Sequence, residues 1–501
     1  MTTPAENAEP LRFPAAAIYL WYAFVASMAF MKPSLRIAGN YVQFSELIFL
    51  AFAAVAAAYI IYMRLLPRLG GLWLPLVVYL GASAISASFS PRASTSFVKL
   101  AGVAYLAAIA AAAVAVIRDV KILKSTVIAF IAGSTFAALA ASAGALLFYI
   151  APDLAAASGL LHHYGSLPPG NYPRVEGTFI YPAMLCNYLT VGMMLTLAAG
   201  KIGWIGKRIA AAIVAVHVIA AIFTVTPGLG GFVLAGAAWI AYLLWEKRPW
   251  TARLTAFGGI LIAAASVLVS ALSLRQIPTS PYRFELWGTT IDPTQRLLTW
   301  QGSFATFAAH PLVGKGLGLP ATAVEFLAPS GGRQMLTDAH NTFLNIAATT
   351  GVLGLAAVLL LCVITIAAAR RALASNYPPA DSAGPETVVH MSQDTETAGG
   401  ADYPTSDPPA TKPVSLAPLP AALLIAFISG FIVQGLTGSF EDARHLWLTI
   451  GLIWGCSELN TNAPSAWVHR ALRHPLFPRL ERRHPCLHEC EACIVKDIAV
   501  A

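Results

Sequence analysis

The sequence predicts an all-α polytopic integral membrane protein with about 12 transmembrane helices and one large outer loop. Three observations support this fold class. Only 11% of the residues are charged, whereas about 25% are charged in a typical soluble domain. The chain contains about a dozen apolar runs, each close to the roughly 20 residues that a helix needs to cross a bilayer. Every second connection between consecutive runs is short and basic. This alternation is expected of a chain that crosses a membrane repeatedly, because the connections on the inner side carry the excess of lysine and arginine.

The apolar runs define the predicted transmembrane helices, and we expect the first five to form a scaffold. These five runs are rich in alanine and poor in polar groups, so small residues would let the helices approach closely. Lys32, Arg36, Arg92 and Lys99 lie near their outer ends, where we expect them to reach toward lipid headgroups. The predicted helices lie near residues 15–31, 44–63, 72–89, 98–117, 122–150, 179–200, 208–226, 229–245, 254–274, 342–369, 419–439 and 446–460.

The placement of lysine and arginine predicts which side of the membrane each segment faces. With the N-terminus inside, roughly two thirds of the 32 lysines and arginines fall on the inner side. The net charge of +8 then suits an anionic inner leaflet, so we predict the lipid bilayer and no nucleic acid as a partner. The predicted segments are an inner tail at 1–14, helices 1–9 within 15–274, the outer loop at 275–340, helix 10 at 341–370, a disordered inner linker at 371–418, helices 11–12 within 419–460 and a basic inner tail at 461–501.

The large outer loop contains a predicted amphipathic helix. Asp292 and Pro293 resemble a helix cap followed by a first helical residue, and the His310-Pro311 pair predicts the end of the helix. A helix of this kind tends to lie in a membrane interface. Arg296 falls at the seam between its two faces. The apolar stripe consists of Leu297, Trp300, Phe304, Phe307 and Ala308, and the opposite face of Gln295, Thr299, Ser303 and Thr306.

A second outer segment, just before the sixth helix, carries charged and imidazole side chains. Arg174 lies two residues before Glu176. It therefore either forms a local ion pair or reaches toward the lipid headgroups, or it binds an anion. His162 and His163 are interpreted as a solvated pair, because no third metal ligand lies nearby in the sequence. The cysteines of the tail match no closed zinc site well. We therefore predict no metal site.

Three arginines map to the outer side of the membrane, each within a few residues of a helix end. They are Arg174, Arg296 and Arg444. The guanidinium fork binds phosphate oxygens in a bidentate manner and keeps its charge. A lipid that carries phosphate would meet these side chains at that depth, so the three arginines indicate an anion-binding site.

His340 lies at the start of the tenth helix, on the same predicted side. Histidine is the side chain that titrates near neutral pH. In the first turn of a helix, the helix dipole would disfavour its cation and keep the imidazole able to accept a proton. The alternative is a polar residue at a helix start, with Thr337 or Asp338 as the cap.

Four segments, in this order along the chain, resemble the O-antigen ligase family. They read RVEGTF before helix six, QRLLTWQGSFATFAAHPLVGKGLG in the loop, AHNTFLNIAATTGVLGL at helix ten and GSFEDARHLWLTIGL near the end. The resemblance covers roughly residues 170–455. The wider group includes O-antigen polymerases and bacterial protein O-oligosaccharyltransferases.

This resemblance implies a multi-pass glycosyltransferase of the bacterial inner membrane whose large loop is periplasmic. In architecture it would resemble the C-type lipid-dependent glycosyltransferases. The donor would be a glycan on undecaprenyl diphosphate, and neither a metal nor another cofactor is expected. The residues that match the family pattern, or that lie beside those positions, are catalytic His340, Arg296 and Arg174 and substrate-binding Arg444, Trp300 and Asn341.

The predicted reaction is transfer of the glycan to an acceptor hydroxyl, that of lipid A-core oligosaccharide, with inversion at the anomeric carbon. His340 would take the proton and the arginines would stabilise the diphosphate. Alternatives with the same chemistry are an O-antigen polymerase and a protein O-oligosaccharyltransferase. A lipid-linked sugar transporter or flippase is an alternative of another class, which predicts ionisable residues within the membrane. His217 is the notable residue of that kind.

Overall fold

The computed structural model describes nine stretches of the chain, and within them the protein is mostly helical. The linker predicted to be disordered lies almost entirely outside the described residues, as do the predicted basic tail and His163. Much of the first half of the predicted outer loop also lies outside them. The described residues are 13–37, 40–64, 69–162, 173–273, 284–286, 289–293, 295–327, 333–374 and 416–460.

Fourteen helices lie in the described part of the chain. In order they are α1 (Ala15–Ser27), α2 (Phe44–Met63), α3 (Trp73–Ser88), α4 (Ala93–Val116), α5 (Val120–Ile150), α6 (Pro152–Ala157), α7 (Pro182–Ile202), α8 (Lys207–Phe223), α9 (Leu229–Leu244), α10 (Pro249–Ala271), α11 (Gln295–Ala309), α12 (Thr342–Ala374), α13 (Pro418–Phe427) and α14 (Arg444–Asn460). Twelve lie at the predicted positions of the apolar runs, α11 is the predicted loop helix, and the short α6 was not predicted. Eight helical segments of the described residues are long and apolar enough to cross a membrane, and α1 and α9 are shorter apolar helices. The twelve-span topology therefore stays a prediction.

Local sequence signals explain where several helices begin and end. The Asp119 carboxylate accepts a hydrogen bond of 2.7 Å from the backbone N–H three residues later and caps α5. Gln43 and Glu46 form a reciprocal capping box at the start of α2. Pro182 occupies the first position of α7, and the helix ends at Gly203, which has a φ of 87°.

Small residues lie where the scaffold helices approach one another. A Cβ on Gly133 of α5 would lie 2.5 Å from the carbonyl oxygen of Ala26 in α1. A Cβ on Gly451 of α14 would lie 2.6 Å from the carbonyl oxygen of Ala110 in α4. Only glycine permits these approaches, so the alanine-rich and glycine-containing runs pack as their composition predicts.

Helix α12 is broken near its first third by the loop that follows α11. Gly351 has a φ of 68° and a ψ of −165°, outside the helical region. The loop supplies substitute partners for the freed carbonyls, since Lys315 N–H donates to Ala348 O at 2.9 Å and Gly316 N–H donates to Thr349 O at 3.1 Å. A Cβ on Gly351 would collide with the backbone of this loop. The break divides α12 into a short first part, 342–350, and a long second part.

A buried polar network fixes the end of α13 next to α7 and α14. Helix α13 continues as one π-helical segment, Ile428–Val433, and a short 3-10 turn. Gln434 Nε2 donates to Thr190 Oγ1 at 2.9 Å, and Asn187 Nδ2 donates to Gln434 Oε1 at 2.6 Å. His445 Nε2 lies 2.5 Å from Asn187 Oδ1. The eleventh predicted helix therefore ends in a π-helical segment and a 3-10 turn rather than as a regular α-helix. The buried hydrogen bonds fix the position at which the following loop begins.

Short antiparallel strands lie between the helices, so the all-α prediction holds for the bulk of the chain but not for these segments. Asp292 and Pro293 were predicted to start the loop helix, and this prediction is wrong. They belong to strand β5, where they pair with Ser273 and Leu272, and α11 begins at Gln295. The strands are β1 (Ser34–Ile37), β2 (Asn40–Gln43), β3 (Leu272–Ser273), β4 (Phe284–Leu286), β5 (Thr289–Pro293), β6 (Val324–Leu327) and β7 (Arg333–Leu336), paired β1-β2, β3-β5-β4 and β6-β7.

The segments predicted to face outward meet at one end of the helical bundle. Ser86 of α3 donates to Thr349 O of α12 at 2.8 Å. Lys99 of α4 forms an ion pair with Asp442, which lies between α13 and α14. We name this end of the bundle the outer end. It carries all six residues of the predicted site.

Candidate functional site

A tight turn before α12 presents His340. Its backbone N–H donates to Asp338 Oδ1 at 2.5 Å, and the same oxygen accepts a hydrogen bond of 2.6 Å from Ser439 Oγ. His340 has a φ of 48°, a left-handed conformation that is uncommon for a residue other than glycine. Asn341 Oδ1 accepts from the backbone N–H groups of Phe343 at 3.0 Å and Leu344 at 3.1 Å.

Asn341 is therefore the cap of α12, and the expectation that Thr337 or Asp338 caps this helix is wrong. His340 lies before the helix rather than in its first turn. The side chain of Asn341 also donates to Leu436 O at 3.3 Å. Its described contacts thus position the turn, and the predicted contact of Asn341 with substrate stays a prediction.

Burial favours the neutral imidazole of His340. Burial lowers the pKa of His340, the Asp338 carboxylate opposes this shift and the Arg296 guanidinium reinforces it. The ring Nδ1 lies 3.6 Å from Asp338 Oδ1, and the side chain is 38% exposed. A neutral, partly accessible imidazole at pH 7 is able to accept a proton.

Arg174 and Arg296 lie close enough for their charges to interact. The pKa of Arg296 is lowered to about 10, mainly by burial and also by the positive charge of Arg174, while Asp338 opposes the shift. Arg296 still carries its charge at pH 7. Its Nη1 atom is buried and has no hydrogen-bond partner among the described residues. The structure thus groups Arg174, Arg296 and His340, three side chains that are distant in sequence.

The backbone of Arg174 is held between the segment that follows α6 and the end of α8. Its carbonyl accepts from His162 N–H at 2.8 Å. The neighbouring Val175 N–H donates to Phe223 O at 3.0 Å. The Glu176 carboxylate forms an ion pair with Lys32 and lies 2.6 Å from His162 Nδ1.

This arrangement corrects three expectations about the same segment. The carboxylate of Glu176, considered as a partner for Arg174, instead binds Lys32 and His162. Lys32 therefore tethers the segment to the end of α1 rather than reaching toward lipid headgroups. His162 is half-buried and bonded to protein, not solvated. The ion pair with Lys32 helps to hold the backbone segment that carries Arg174.

Helix α11 packs with its polar face against the protein. Thr299 and Ser303 are fully buried, and Thr299 Oγ1 donates a hydrogen bond to Ala339 O at 3.3 Å. Phe304, in the apolar stripe, is 61% exposed. Trp300 is half-buried, and its Nε1 has no hydrogen-bond partner in the described part of the chain. The helix therefore supports the His340 turn with one face and leaves apolar side chains at the surface.

Arg444 is committed to another helix. It forms an ion pair with Glu46 at 2.5 Å and donates to Gln43 Oε1 and, at 3.3 Å, to Ser45 Oγ. Its side chain is only 14% exposed. These contacts fasten the start of α14 to the start of α2. The predicted contact of Arg444 with substrate stays a prediction, with most of its donors already occupied.

A cavity of about 230 Å³ lies on the other side of Asp338. Lys99 was expected to reach toward lipid headgroups, but its ammonium lines this cavity and pairs with Asp442. Asn345 Nδ2 donates to Glu441 Oε1 at 2.5 Å, while Glu441 Oε2 is buried and has no partner among the described residues. The pKa of Glu441 is raised to about 8, mainly by burial and also by the charges of Asp442 and Asp338, while Lys99 opposes the shift.

Sequence reasoning assigned no function to this cavity or to Asp338. The adjacent acids in GSFEDARHLW and the aspartate two residues before His340 were visible signals. Their meaning depends on contacts across the fold, since Lys99 and Asp442 are 343 positions apart. Among the described residues, no group of three or more histidine, cysteine or acidic side chains is arranged to hold a metal ion.

Comparison with known proteins identifies the central part of the chain. No curated protein matches the sequence. Residues 187–359 match the family model described as O-antigen ligase. This range contains Arg296, His340 and the break in α12, and the family implies a membrane glycosyltransferase of the O-antigen ligase or polymerase type. This multi-pass membrane protein therefore contains a region, residues 187–359, that matches the O-antigen ligase family.

Proposed function

We propose that this protein transfers a glycan from undecaprenyl diphosphate to a hydroxyl of lipid A-core oligosaccharide. The reaction takes place at the periplasmic face of the bacterial inner membrane, inverts the anomeric carbon and requires no metal. The partners are therefore the lipid-linked donor, the glycan acceptor and the bilayer. The catalytic residues are His340, Arg296 and Arg174.

The observation that carries this proposal is the buried, unpartnered Nη1 of Arg296 next to Arg174. A buried donor without a partner costs free energy, of the order of 1–3 kcal/mol. Two neighbouring guanidinium groups also repel each other. A diphosphate would satisfy the donor and separate the two charges, because arginine binds phosphate oxygens in a bidentate manner.

The chemical step follows from the position of the imidazole. The acceptor hydroxyl oxygen attacks the anomeric carbon, the bond from that carbon to the diphosphate oxygen breaks, and the electron pair leaves with the diphosphate. Arg174 and Arg296 stabilise the negative charge that develops there. The hydroxyl proton passes to His340 Nε2, since Nδ1 faces Asp338. Attack from the face opposite the leaving group inverts the configuration.

Trp300 and the apolar stripe of α11 support the lipid part of the donor. The exposed Phe304 and the half-buried Trp300 lie on the same helix as Arg296. Apolar rings beside a diphosphate site suit a polyprenyl chain that enters from the bilayer. The Arg444 guanidinium donates to Gln43, Ser45 and Glu46. It would therefore contact substrate only after giving up some of these hydrogen bonds.

Two rivals keep the chemistry and change the acceptor: an O-antigen polymerase and a protein O-oligosaccharyltransferase. Labelling of lipid A-core, polymer or protein separates them. The transporter alternative is weakened by His217, whose Nδ1 lies 2.7 Å from Ile213 O and whose Nε2 lies 3.0 Å from Ser134 Oγ. Both ring nitrogens have protein partners, as in a structural histidine.

The test is transfer of a labelled glycan from undecaprenyl diphosphate by the protein reconstituted in lipid vesicles. His340→Ala should reduce transfer by about 10²–10⁴-fold, the usual contribution of general-base catalysis. His310→Ala is the matched control, because His310 is an exposed histidine of the same loop. Normal transfer by correctly folded His340→Ala protein would refute the proposed role.

A further inference from the structure

The cavity beyond Asp338 has a lining that suits a polyhydroxylated ring. Its polar groups include both donors and acceptors: the Lys99 ammonium, the Asn345 amide, the hydroxyl of Thr337 and the carboxyl groups of Glu441 and Asp442. Sugar hydroxyls donate and accept hydrogen bonds, so they are able to satisfy both kinds of group. The apolar part of the lining would face the C–H groups of the ring.

One atom of the lining points to a missing ligand. Glu441 Oε2 is buried without a hydrogen-bond partner in the described part of the chain, although Oε1 of the same carboxyl is bonded to Asn345. Native proteins rarely leave a buried oxygen of this kind unsatisfied. A hydroxyl inside the cavity would fill that position.

Size and position restrict the ligand further. The volume of about 230 Å³ is below the roughly 300–1,000 Å³ of pockets that hold drug-sized ligands. It suits one sugar ring rather than an oligosaccharide. Asp338 lines the cavity and also binds the backbone of His340, so a ring held there would place a neighbouring hydroxyl near the imidazole.

We propose that this cavity binds a sugar ring of the acceptor glycan next to the one that is glycosylated, through Glu441, Asn345 and Lys99. The proposal rests on the proposed function for the identity of the acceptor. The donor diphosphate binds at Arg174 and Arg296, and the acceptor approaches from the acidic side of Asp338. The two substrates therefore meet at His340 from differently charged surfaces.

Steady-state kinetics with purified lipid A-core as the acceptor provide the first test. Glu441→Ala removes the unsatisfied oxygen, and Thr337→Trp fills the cavity from an exposed position without changing a charge. Both variants should raise the acceptor KM about tenfold. Glu441→Ala loses a hydrogen bond to an acidic group, which costs about 1.4 kcal/mol, and Thr337→Trp occupies the space that the sugar ring needs. The donor KM should stay within twofold. Ala323→Trp, an exposed residue of the same loop outside the lining, is the matched control.

A binding test separates this proposal from the proposed function. Thr337→Cys should react with a membrane-impermeant maleimide, and delipidated core oligosaccharide should slow this labelling without any donor present. Protection without transfer would contradict the proposed reaction and support the cavity. Transfer with an unchanged acceptor KM in both cavity variants, and no protection of the cysteine, would overturn the cavity proposal.

Discussion

The two charged regions that meet at Asp338 differ in how completely they satisfy their own charges. On one side, Arg174 and Arg296 place like charges together, and Arg296 keeps an unpartnered buried donor. On the other side, Lys99 and Asp442 neutralise each other, and Glu441 is bonded through one oxygen. The unpartnered Arg296 donor suits an acceptor such as a phosphate oxygen, whereas the unpartnered Glu441 oxygen suits a hydroxyl group. This difference is the basis on which we propose a diphosphate for one side and a sugar for the other.

The largest expected effect comes from exchanging the cation type on each side. Arg296→Lys should reduce kcat about 100-fold, because a point charge does not reproduce the bidentate fork at the leaving group. Lys99→Arg, the matched exchange in the cavity, should change kcat less than about threefold, because Lys99 would bind the acceptor away from the leaving group and saturating acceptor masks a loss of binding. Single-turnover transfer with saturating donor and acceptor measures both. Equal losses of kcat in the two variants would contradict the assignment of different roles to the two regions.

A smaller effect is expected at the residue that the two regions share. Asp338→Asn should lower kcat about tenfold, equivalent to a positioning interaction of about 1.4 kcal/mol. The Asp338 carboxylate raises the pKa of His340 against the effects of burial and Arg296. Its removal should therefore lower that pKa further and move the acidic limb of the kcat profile to lower pH, since the reaction needs neutral imidazole.

A pH profile measured from pH 4.5 to 8 distinguishes this role from simple destabilisation. In the wild type, the acidic limb should lie below 6.5, the ordinary pKa of histidine. An acidic limb of Asp338→Asn that coincides with that of the wild type would show that the carboxylate does not act through His340. Ser439→Ala removes a second bond to the same carboxylate and should leave the limb in place.

The smallest effect is expected from loosening the support of Arg174. Lys32→Met removes the ion pair with Glu176, and the segment that holds Arg174 keeps its backbone bonds. Transfer should fall about two- to fivefold, in line with the loss of a partly exposed ion pair worth up to about 1 kcal/mol. Lys201→Met, at the end of α7 remote from this segment, should have no effect. A loss as large as that of Arg296→Lys would mean that Lys32 itself binds substrate.

The broken helix α12 shows why part of the site was invisible in the sequence. Its apolar composition predicted a continuous helix, and Gly351 gave no sign of a break. The break exists because the loop after α11 donates Lys315 and Gly316 N–H groups to carbonyls of the first part of α12. These bonds join residues more than 30 positions apart, so no local pattern encodes them. The first part of α12 carries both the His340 turn and Asn345 of the cavity.

The sequence by itself determined the helical membrane architecture, the family resemblance and the presence of isolated arginines and a histidine near helix ends. Those features are local, because apolar length, basic residues and short motifs are all readable within one segment. Only the tertiary structure decided that Arg296 lies beside Arg174, that Arg444 binds α2 and that Lys99 meets Asp442. These pairings depend on which helix ends share one surface, and the burial of each charge then sets its partner and its pKa.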